Sequence, residues 1–316
     1  MAYHGDTEHT FEDVLHAWTK HIEGGAVGPN TAERYLCSLG QLTKWLEGRH
    51  LSQVDGKLIA KIIAERSASG VTNATIKRDL VALSSVMNYA IARGWREDNP
   101  VLARMKLVKE RRGPIVLPRR EDIALLASRA PGMMADLIKA AVATGAREQE
   151  LVQAKRENVD HDRHQFTIIG KRQRLRVIDL EPFGGYDLFR SMPAYADRRR
   201  QHLFWHGDGD PYLNLSSNFT AVVRRTAKWA QKKEIEFRPF RFHDLRHYHA
   251  VQWLKAGRSI YDLQIRLGHE SIKTTEIYLA YLTSEERQIV KFAAHKAEQK
   301  GERTNSSGTP KAQSSD

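Results

Sequence analysis

Thr144-Gly145-Ala146-Arg147-Glu148-Gln149-Glu150-Leu151 is the stretch on which the fold reading turns. The apolar residues before it, 133–143, have helical spacing; a glycine ends them, and an arginine stands where a new helix, 148–154, begins. Upstream, 120–128 has the same helical spacing, whereas downstream the apolar period shortens to two. Residues 165–169 and 174–180 are β-branched or alternating segments joined by Gly170-Lys171-Arg172-Gln173, which predicts a hairpin. Helical spacing resumes over 218–231, 243–255, 260–267, 272–281 and 284–296. The fold expected is mainly α with a small β-sheet.

The first hundred residues read as helices alone. Thr10 with Asp13 makes a capping box ahead of Phe11, Val14, Leu15, Trp18 and Ile22, which share one helical stripe. Asn30 with Glu33 predicts the cap of a second helix carrying Tyr35, Leu39, Leu42 and Leu46 and ending before Gly48. A shorter helix is expected over 57–66. A fourth, behind Asn73 and Thr75, carries Ile76, Leu80, Leu83, Met87 and Ile91, and Gly94 and Asn99-Pro100 close it. Four amphipathic helices make a bundle, and these stripes are core rather than a ligand box.

Charge separates the two halves. Residues 1–105 carry 12 Lys or Arg and 12 Asp or Glu, so the net charge of +12 belongs to residues 106–316. Such an excess favours polyanionic partners, nucleic acid above all. Its densest run, Arg104 to Arg120, is broken by Gly113-Pro114 and Pro118, and reads as a basic linker. Lys106, Lys109, Arg111 and Arg112 are its candidate phosphate contacts, with Lys77 and Arg78 at the start of the fourth helix as further candidates. A length of 316 residues favours two domains. The boundaries expected are a helical domain over 1–105, a linker over 106–118, a second domain over 119–296 and a polar, disordered tail over 297–316. One cysteine, Cys37, excludes an intrachain disulfide, and the polar N-terminus and lack of a long apolar run point to a cytoplasmic protein without a membrane partner.

Further polar clusters follow the arginine turn. His243-Asp244-Leu245-Arg246-His247 puts a histidine and an arginine on neighbouring turns of one helix face, and Leu267-Gly268-His269 precedes Tyr278 by nine residues from the histidine. The spacing of His243 and His247 suits zinc on a helix, but Asp244 stands where a metalloprotease needs glutamate, and Arg246 would sit beside the cation; no metal is expected. Taken singly, a turn lysine, a surface arginine or a packed tyrosine is ordinary.

Together and in this order, these segments resemble the tyrosine recombinases, or phage integrases. ATGAREQEL is similar to their first arginine box, HDLRH to their histidine-arginine box, and LGHESIKTTEIY to the box that ends in the nucleophile. GKRQRLRVIDL resembles their lysine hairpin, with Arg172 where glycine is common and Asp179 where proline is common. The resemblance spans roughly residues 10–295. It implies an N-terminal helical core-binding (SAM-like) domain and an α+β catalytic domain that clamp duplex DNA between them, in the bacterial cytoplasm or nucleoid.

It also implies catalytic roles. Arg147 and Arg246 offset charge on the scissile phosphate, each guanidinium offering two fixed hydrogen bonds. Tyr278 attacks to leave a 3′-phosphotyrosine, Lys171 protonates the departing 5′ oxygen, and His243 and His269 bind the phosphate or assist proton movement. Glu150 matches an acidic position that orients the site; His247 and His249 fall outside the pattern and are expected to be structural. Strand exchange implies a homotetramer on two double-stranded recombination sites and a Holliday junction, without metal, ATP or other cofactor, and leaves room for accessory DNA-bending or directionality proteins. Ile289, Val290, Phe292 and Ala293 offer an apolar face for a neighbouring subunit. Only nine residues precede Thr10, too few for an additional arm-binding domain. The competing expectations are a type IB topoisomerase-like enzyme and a non-catalytic DNA-binding protein on the same scaffold.

Overall fold

The computed structural model describes residues 9–110, 113, 115–170, 175–194, 196–197 and 199–290. The chain divides into two compact units, Met1–Pro114 and Ile115–Asp316.

The first unit is helical among its described residues. Helix α1, Phe11–His21, begins at the expected capping box: the Asp13 amide donates to Thr10 Oγ1 at 3.2 Å, and the Thr10 amide to Asp13 Oδ2 at 3.0 Å. Helix α2 spans Pro29–Gly40, capped by Gly28 rather than Asn30, because Pro29 supplies the fixed φ of a first helical residue and leaves Asn30 inside the turn. The apolar stripe crosses a break into α3, Thr43–Leu46, so Leu39, Leu42 and Leu46 are buried although they are not on one helix. Helix α4 covers Gly56–Ala68 behind an Asp55 cap. Helix α5 covers Asn73–Ala92, and its cap is Thr72, whose Oγ1 accepts from the Thr75 amide, so the expected Asn73 cap is corrected by one residue.

Asn99 does not merely end a helix. Its carboxamide caps α6, Pro100–Met105, which sequence periodicity passes over because the segment is six residues long. Trp18, Leu46, Ile59, Ile62, Leu80, Leu83 and Met87 fill one core. Removing such side chains from water contributes about 1.5–3 kcal/mol each. Val108 belongs to this core, while Ile115 and Leu117 pack in the second unit, so the stretch between the two cores is shorter than the basic run.

The second unit begins with α7, Arg120–Arg129, and α8, Met134–Thr144, followed by α9, Glu148–Val152. Strands β1 (Val159–Asp160), β2 (Gln165–Ile169) and β3 (Leu175–Asp179) form an antiparallel sheet in the order β1-β2-β3, with Phe166 opposite Ile178 and Ile169 opposite Leu175. Helices α10 (Gly185–Ser191), α11 (Leu215–Lys232), α12 (Phe242–Lys255), α13 (Ile260–Leu267) and α14 (Lys273–Glu276) follow. A 3₁₀ turn over Ile277–Tyr281 takes up where α14 ends, so the single helix expected over 272–281 is two pieces, an α-helical one and a tighter 3₁₀ one; residues 284–290 are helical again. Strand β1 and helix α10 were not expected, being too short or too glycine-rich to show a period.

The unit has two cores. One joins α7, α8, the sheet and α11, and the other gathers Ala250, Val251, Leu254, Leu263, Leu267, Leu282 and Tyr278.

Candidate active site

Three chain turns converge on one patch of the second unit. The first is the 145–147 corner. Gly145 closes α8 with φ of +67°, and a Cβ there would lie 2.5 Å from His249 Cδ2, so the position demands glycine for its backbone and for its neighbour. Arg147 then stands at the N-terminus of α9, its amide donating to Glu150 Oε2 at 2.6 Å and its Nη1 to Glu150 Oε1 at 3.1 Å.

The second turn is 267–269. Gly268, at φ +65°, closes α13, and a Cβ there would crowd Arg176 Nη1 at 3.2 Å. The Leu267 carbonyl accepts from Arg147 Nη1 at 3.3 Å and from Arg246 Nη2 at 2.6 Å, while Gly268 O accepts from Arg147 Nη2 at 3.2 Å. One carbonyl thus gathers the two arginines, which lie 99 residues apart in the chain. Arg246, on α12, also donates Nη1 to Gly145 O at 2.7 Å.

The third element is the 3₁₀ turn that carries Tyr278. The phenol is buried, with 1% of its surface exposed, and its Oη lies 2.9 Å from His247 Nδ1. Burial raises its pKa, against which the charges of Arg246 and Arg147 act to lower it. His269 Nδ1 lies 2.9 Å from Thr275 Oγ1, and the His243 ring stands edge-on to that of His247 with centroids 4.8 Å apart.

Positive charge dominates the patch. Glu150 accepts from both Arg176 Nη1 (2.7 Å) and Nη2 (2.6 Å) as well as from Arg147; burial raises its pKa, but the hydrogen bonds and charge of Arg176, then Arg147, outweigh that and hold it at about 2. Arg176 Nε donates to Arg266 O, and Arg266 donates to Asp179 O, Ala143 O and His249 Nε2. Among the described residues, Glu150 is the only carboxylate hydrogen-bonded to any of these four guanidiniums. Burial, then Arg147, pushes Arg246 down to about 9, so it stays charged at neutral pH. Burial and neighbouring cations push His269 down to about 4; burial and then His243 do the same to His247, and burial with Arg246 lowers His243. These imidazoles are neutral at neutral pH.

Arg147, His243, Arg246, His269 and Tyr278 therefore come together. Lys171 lies outside the described residues, as do Arg111, Arg112, Phe292 and Ala293. His249 is a packing residue as expected: fully buried, it donates Nδ1 to Val142 O at 2.7 Å and accepts from Arg266. His247 is not a packing residue alone, since it touches the phenol; no local signal reveals a contact made across 31 positions. Sequence reasoning likewise gave Arg176 no role; on β3 it shares a face with buried Ile178, and its partner Glu150 lies 26 residues away in the chain. Of the other candidate DNA contacts, Lys77 pairs with Glu110 at 3.5 Å, and Arg78, Lys106 and Lys109 are exposed. Helix α11 adds Arg224, Lys228 and Lys232, exposed and four residues apart on one face. No group of three or more His, Cys, Asp or Glu among the described residues is disposed to hold a metal ion, and no helix there is long and apolar enough to cross a membrane.

Comparison with known proteins gives this patch its context. Residues 125–285 match the phage integrase family, and residues 15–94 match the N-terminal SAM-like domain of phage integrases. The chain is 28% identical over 281 residues to the tyrosine recombinase XerC of Roseiflexus castenholzii, covering 84% of this chain and 88% of the relative. Its fold is similar to that of the Tn1549 transposon integrase in complex with transposon right end DNA (TM-score 0.71, 18% identity, covering 92% of this chain and 99% of that one). It is also similar to a lambda integrase tetramer bound to a Holliday junction (TM-score 0.68, 18% identity, covering 87% and 78%). A family match that covers more than half of the residues and takes in the arginine corner, the histidine-arginine helix and the tyrosine turn places the chain in the phage integrase family, the tyrosine-type site-specific recombinases.

Proposed function

We propose that this recombinase cleaves and rejoins double-stranded DNA through a covalent 3′-phosphotyrosine on Tyr278. The observation that carries the reading is the convergence of Arg147 and Arg246 on the Leu267 carbonyl, with the Tyr278 phenol within reach of both charges. A phosphodiester bound there would meet preorganised guanidiniums whose donors point at fixed acceptors, that of Arg246 buried and that of Arg147 open to solvent. Attack by Oη forms the O–P bond and expels the 5′ oxygen, which leaves as a hydroxyl once protonated. Lys171 is the proton donor in this scheme. The phosphotyrosyl bond conserves the energy of the bond it replaces, so a 5′-hydroxyl from another strand reverses the step.

His243 and His269 assist at the phosphate in this reading. Strand exchange then requires four chains on two sites and passes through a Holliday junction, the assembly in which the lambda integrase tetramer was captured. Both units contribute contacts to DNA, from the basic run at Lys106 to Arg112, from Lys77 and Arg78, and from α11.

The test is a labelled suicide substrate, trapped on the enzyme, resolved on a denaturing gel and mapped by peptide mass. An adduct on Tyr278 that disappears in Tyr278→Phe while DNA binding persists supports the reading; an adduct on another residue overturns it. A substrate with sulfur at the bridging 5′ position, a better leaving group, should restore cleavage to Lys171→Ala and leave Tyr278→Phe inactive.

A further inference from the structure

We propose that His247 is a catalytic residue of this recombinase: its Nδ1 takes the phenolic proton of Tyr278 as the phenol oxygen attacks phosphorus. The inference rests on the reading of Tyr278 as nucleophile and adds a destination for its proton.

The geometry is direct. His247 Nδ1 lies 2.9 Å from Tyr278 Oη, a hydrogen-bonding distance, and with Nδ1 unprotonated the imidazole accepts the phenol's hydrogen. Among the described residues, His247 is the base hydrogen-bonded to the phenol; His243 stands edge-on to the His247 ring and makes no hydrogen bond to Oη. Guanidiniums carry no acceptor. His249 uses both ring nitrogens, on Val142 O and Arg266, and His269 Nδ1 is engaged with Thr275. His247 directly follows Arg246 on α12, so one helical turn carries both the proton acceptor and a guanidinium of the phosphate site.

The electrostatics agree. Burial holds the phenol protonated, so Tyr278 does not wait as a phenolate and must lose its proton during attack. Burial and the nearby cations hold the imidazole neutral, so its lone pair is free at neutral pH. A weak base suffices because the proton moves as the Oη–P bond forms, when the oxygen has become far more acidic than a free phenol. The arriving phosphate, a negative charge, favours the imidazolium that results. The balance is complete: Oη gives an electron pair to phosphorus, the O–H bond breaks with its proton on Nδ1, and the P–O5′ bond breaks with its electrons on the 5′ oxygen. On rejoining, the imidazolium returns the proton to the departing phenol oxygen.

Two substitutions separate taking the proton from merely holding the ring. His247→Phe keeps a ring without an acceptor, and His247→Asn places an amide near the Nδ1 position that can orient the phenol but cannot become a cation. Single-turnover adduct formation on the suicide substrate should fall about 100-fold in both variants, with DNA affinity unchanged. Replacing Tyr278 by 3,5-difluorotyrosine, a more acidic phenol, should recover at least tenfold of that loss in either variant and change the wild-type rate little. A wild-type rate in His247→Phe, a faster rate there, or full recovery by His247→Asn with the ordinary tyrosine would overturn the proposal. If His247→Phe does not bind DNA, His247→Asn with and without the fluorinated phenol decides alone. Absence of a Tyr278 adduct in the wild type would instead remove the nucleophile assignment itself.

Discussion

The two units bury arginine in different ways. In the first, each deeply buried guanidinium has its own carboxylate: Arg66 Nη2 lies 2.6 Å from Asp79 Oδ2, and Arg96 Nε lies 3.0 Å from Asp98 Oδ1. In the second, Arg246 and Arg266 are 2% and 4% exposed, yet their hydrogen bonds go to backbone carbonyls and a neutral histidine. An ion pair cancels its charge and fixes a local fold. Carbonyls orient a guanidinium and leave its charge in place, which costs stability and leaves that charge able to meet an anion. On the proposed function, the difference separates arginines that tie helices together from an arginine, Arg246, whose charge is left for the scissile phosphate.

The largest effect should come from breaking a pair. Arg66→Met leaves Asp79 buried with no counter-charge and should destabilise the first unit by about 3–5 kcal/mol, whereas Arg66→Met with Asp79→Leu should recover most of that loss. Denaturant unfolding followed through Trp18 and Trp45 measures it. Failure of the double variant to recover would mean that the pair is not self-contained. Arg246→Lys comes next, with the opposite signature. It keeps the charge and loses the two-donor fork, so adduct formation should fall about 10²–10³-fold while stability changes by about 1 kcal/mol. A cleavage rate within threefold of wild type would break the contrast between the units.

Acid should then separate the units by a smaller amount. Burial holds His249 down at about 3 and His247 and His269 down at about 4, below their value of about 6.5 in an unfolded chain. A depressed pKa contributes stability that is complete above the unfolded value and is lost as pH falls toward the folded one. Between pH 6.5 and 4 the second unit must therefore lose stability, by about 2 kcal/mol at pH 5 from His249 alone. In the first unit the lowered groups are Asp13 and Asp55, held down by capping hydrogen bonds, and they act only at lower pH. Hydrogen exchange at pH 7 and 5, corrected for intrinsic rates, should show protection falling in α8 and α12 and holding in α5. Equal losses in both units would show that the buried imidazoles are not responsible.

Legibility followed the range of the interaction. Thr10 and Asp13 lie three residues apart, and their capping box was readable as written; α13 keeps the expected bounds of 260–267 because its apolar spacing and terminal glycine are both local. The cap of α2 was misplaced because Pro29 decides where the first turn starts, and the side chains of Asn30 and Glu33 do not. Strand β1, at two residues, has no period to detect, and α10 begins among Pro182, Gly184 and Gly185, which read as a turn. At the site, Arg147, His243, Arg246, His269 and Tyr278 were legible by resemblance, whereas the arrangement that makes their charge available was not. Its acceptors are the carbonyls of Gly145, Leu267 and Gly268, and every residue has a carbonyl. The contact of His247 with Tyr278 was illegible for the same reason, since its partner is set by folding.

The smallest effect concerns the cations outside the site, where pairing again decides. Arg224 and Lys228 on α11 are exposed, whereas Lys77 on α5 lies 3.5 Å from Glu110 and is partly neutralised before any DNA arrives. Binding that releases counterions has a slope of log affinity against log salt of about −0.9 per phosphate neutralised. If α11 and the start of α5 both contact phosphates, Arg224→Ala with Lys228→Ala should flatten the slope by nearly 2, and Lys77→Ala with Arg78→Ala by about half as much. The pairing argument then makes a prediction of opposite sign: Glu110→Gln releases Lys77 and should steepen the slope by a fraction of one unit while tightening binding at low salt. Filter binding across a salt series resolves changes of this size. An unchanged slope in Glu110→Gln, or equal flattening by the α11 and α5 pairs, would show that Lys77 reaches the phosphate in spite of its partner.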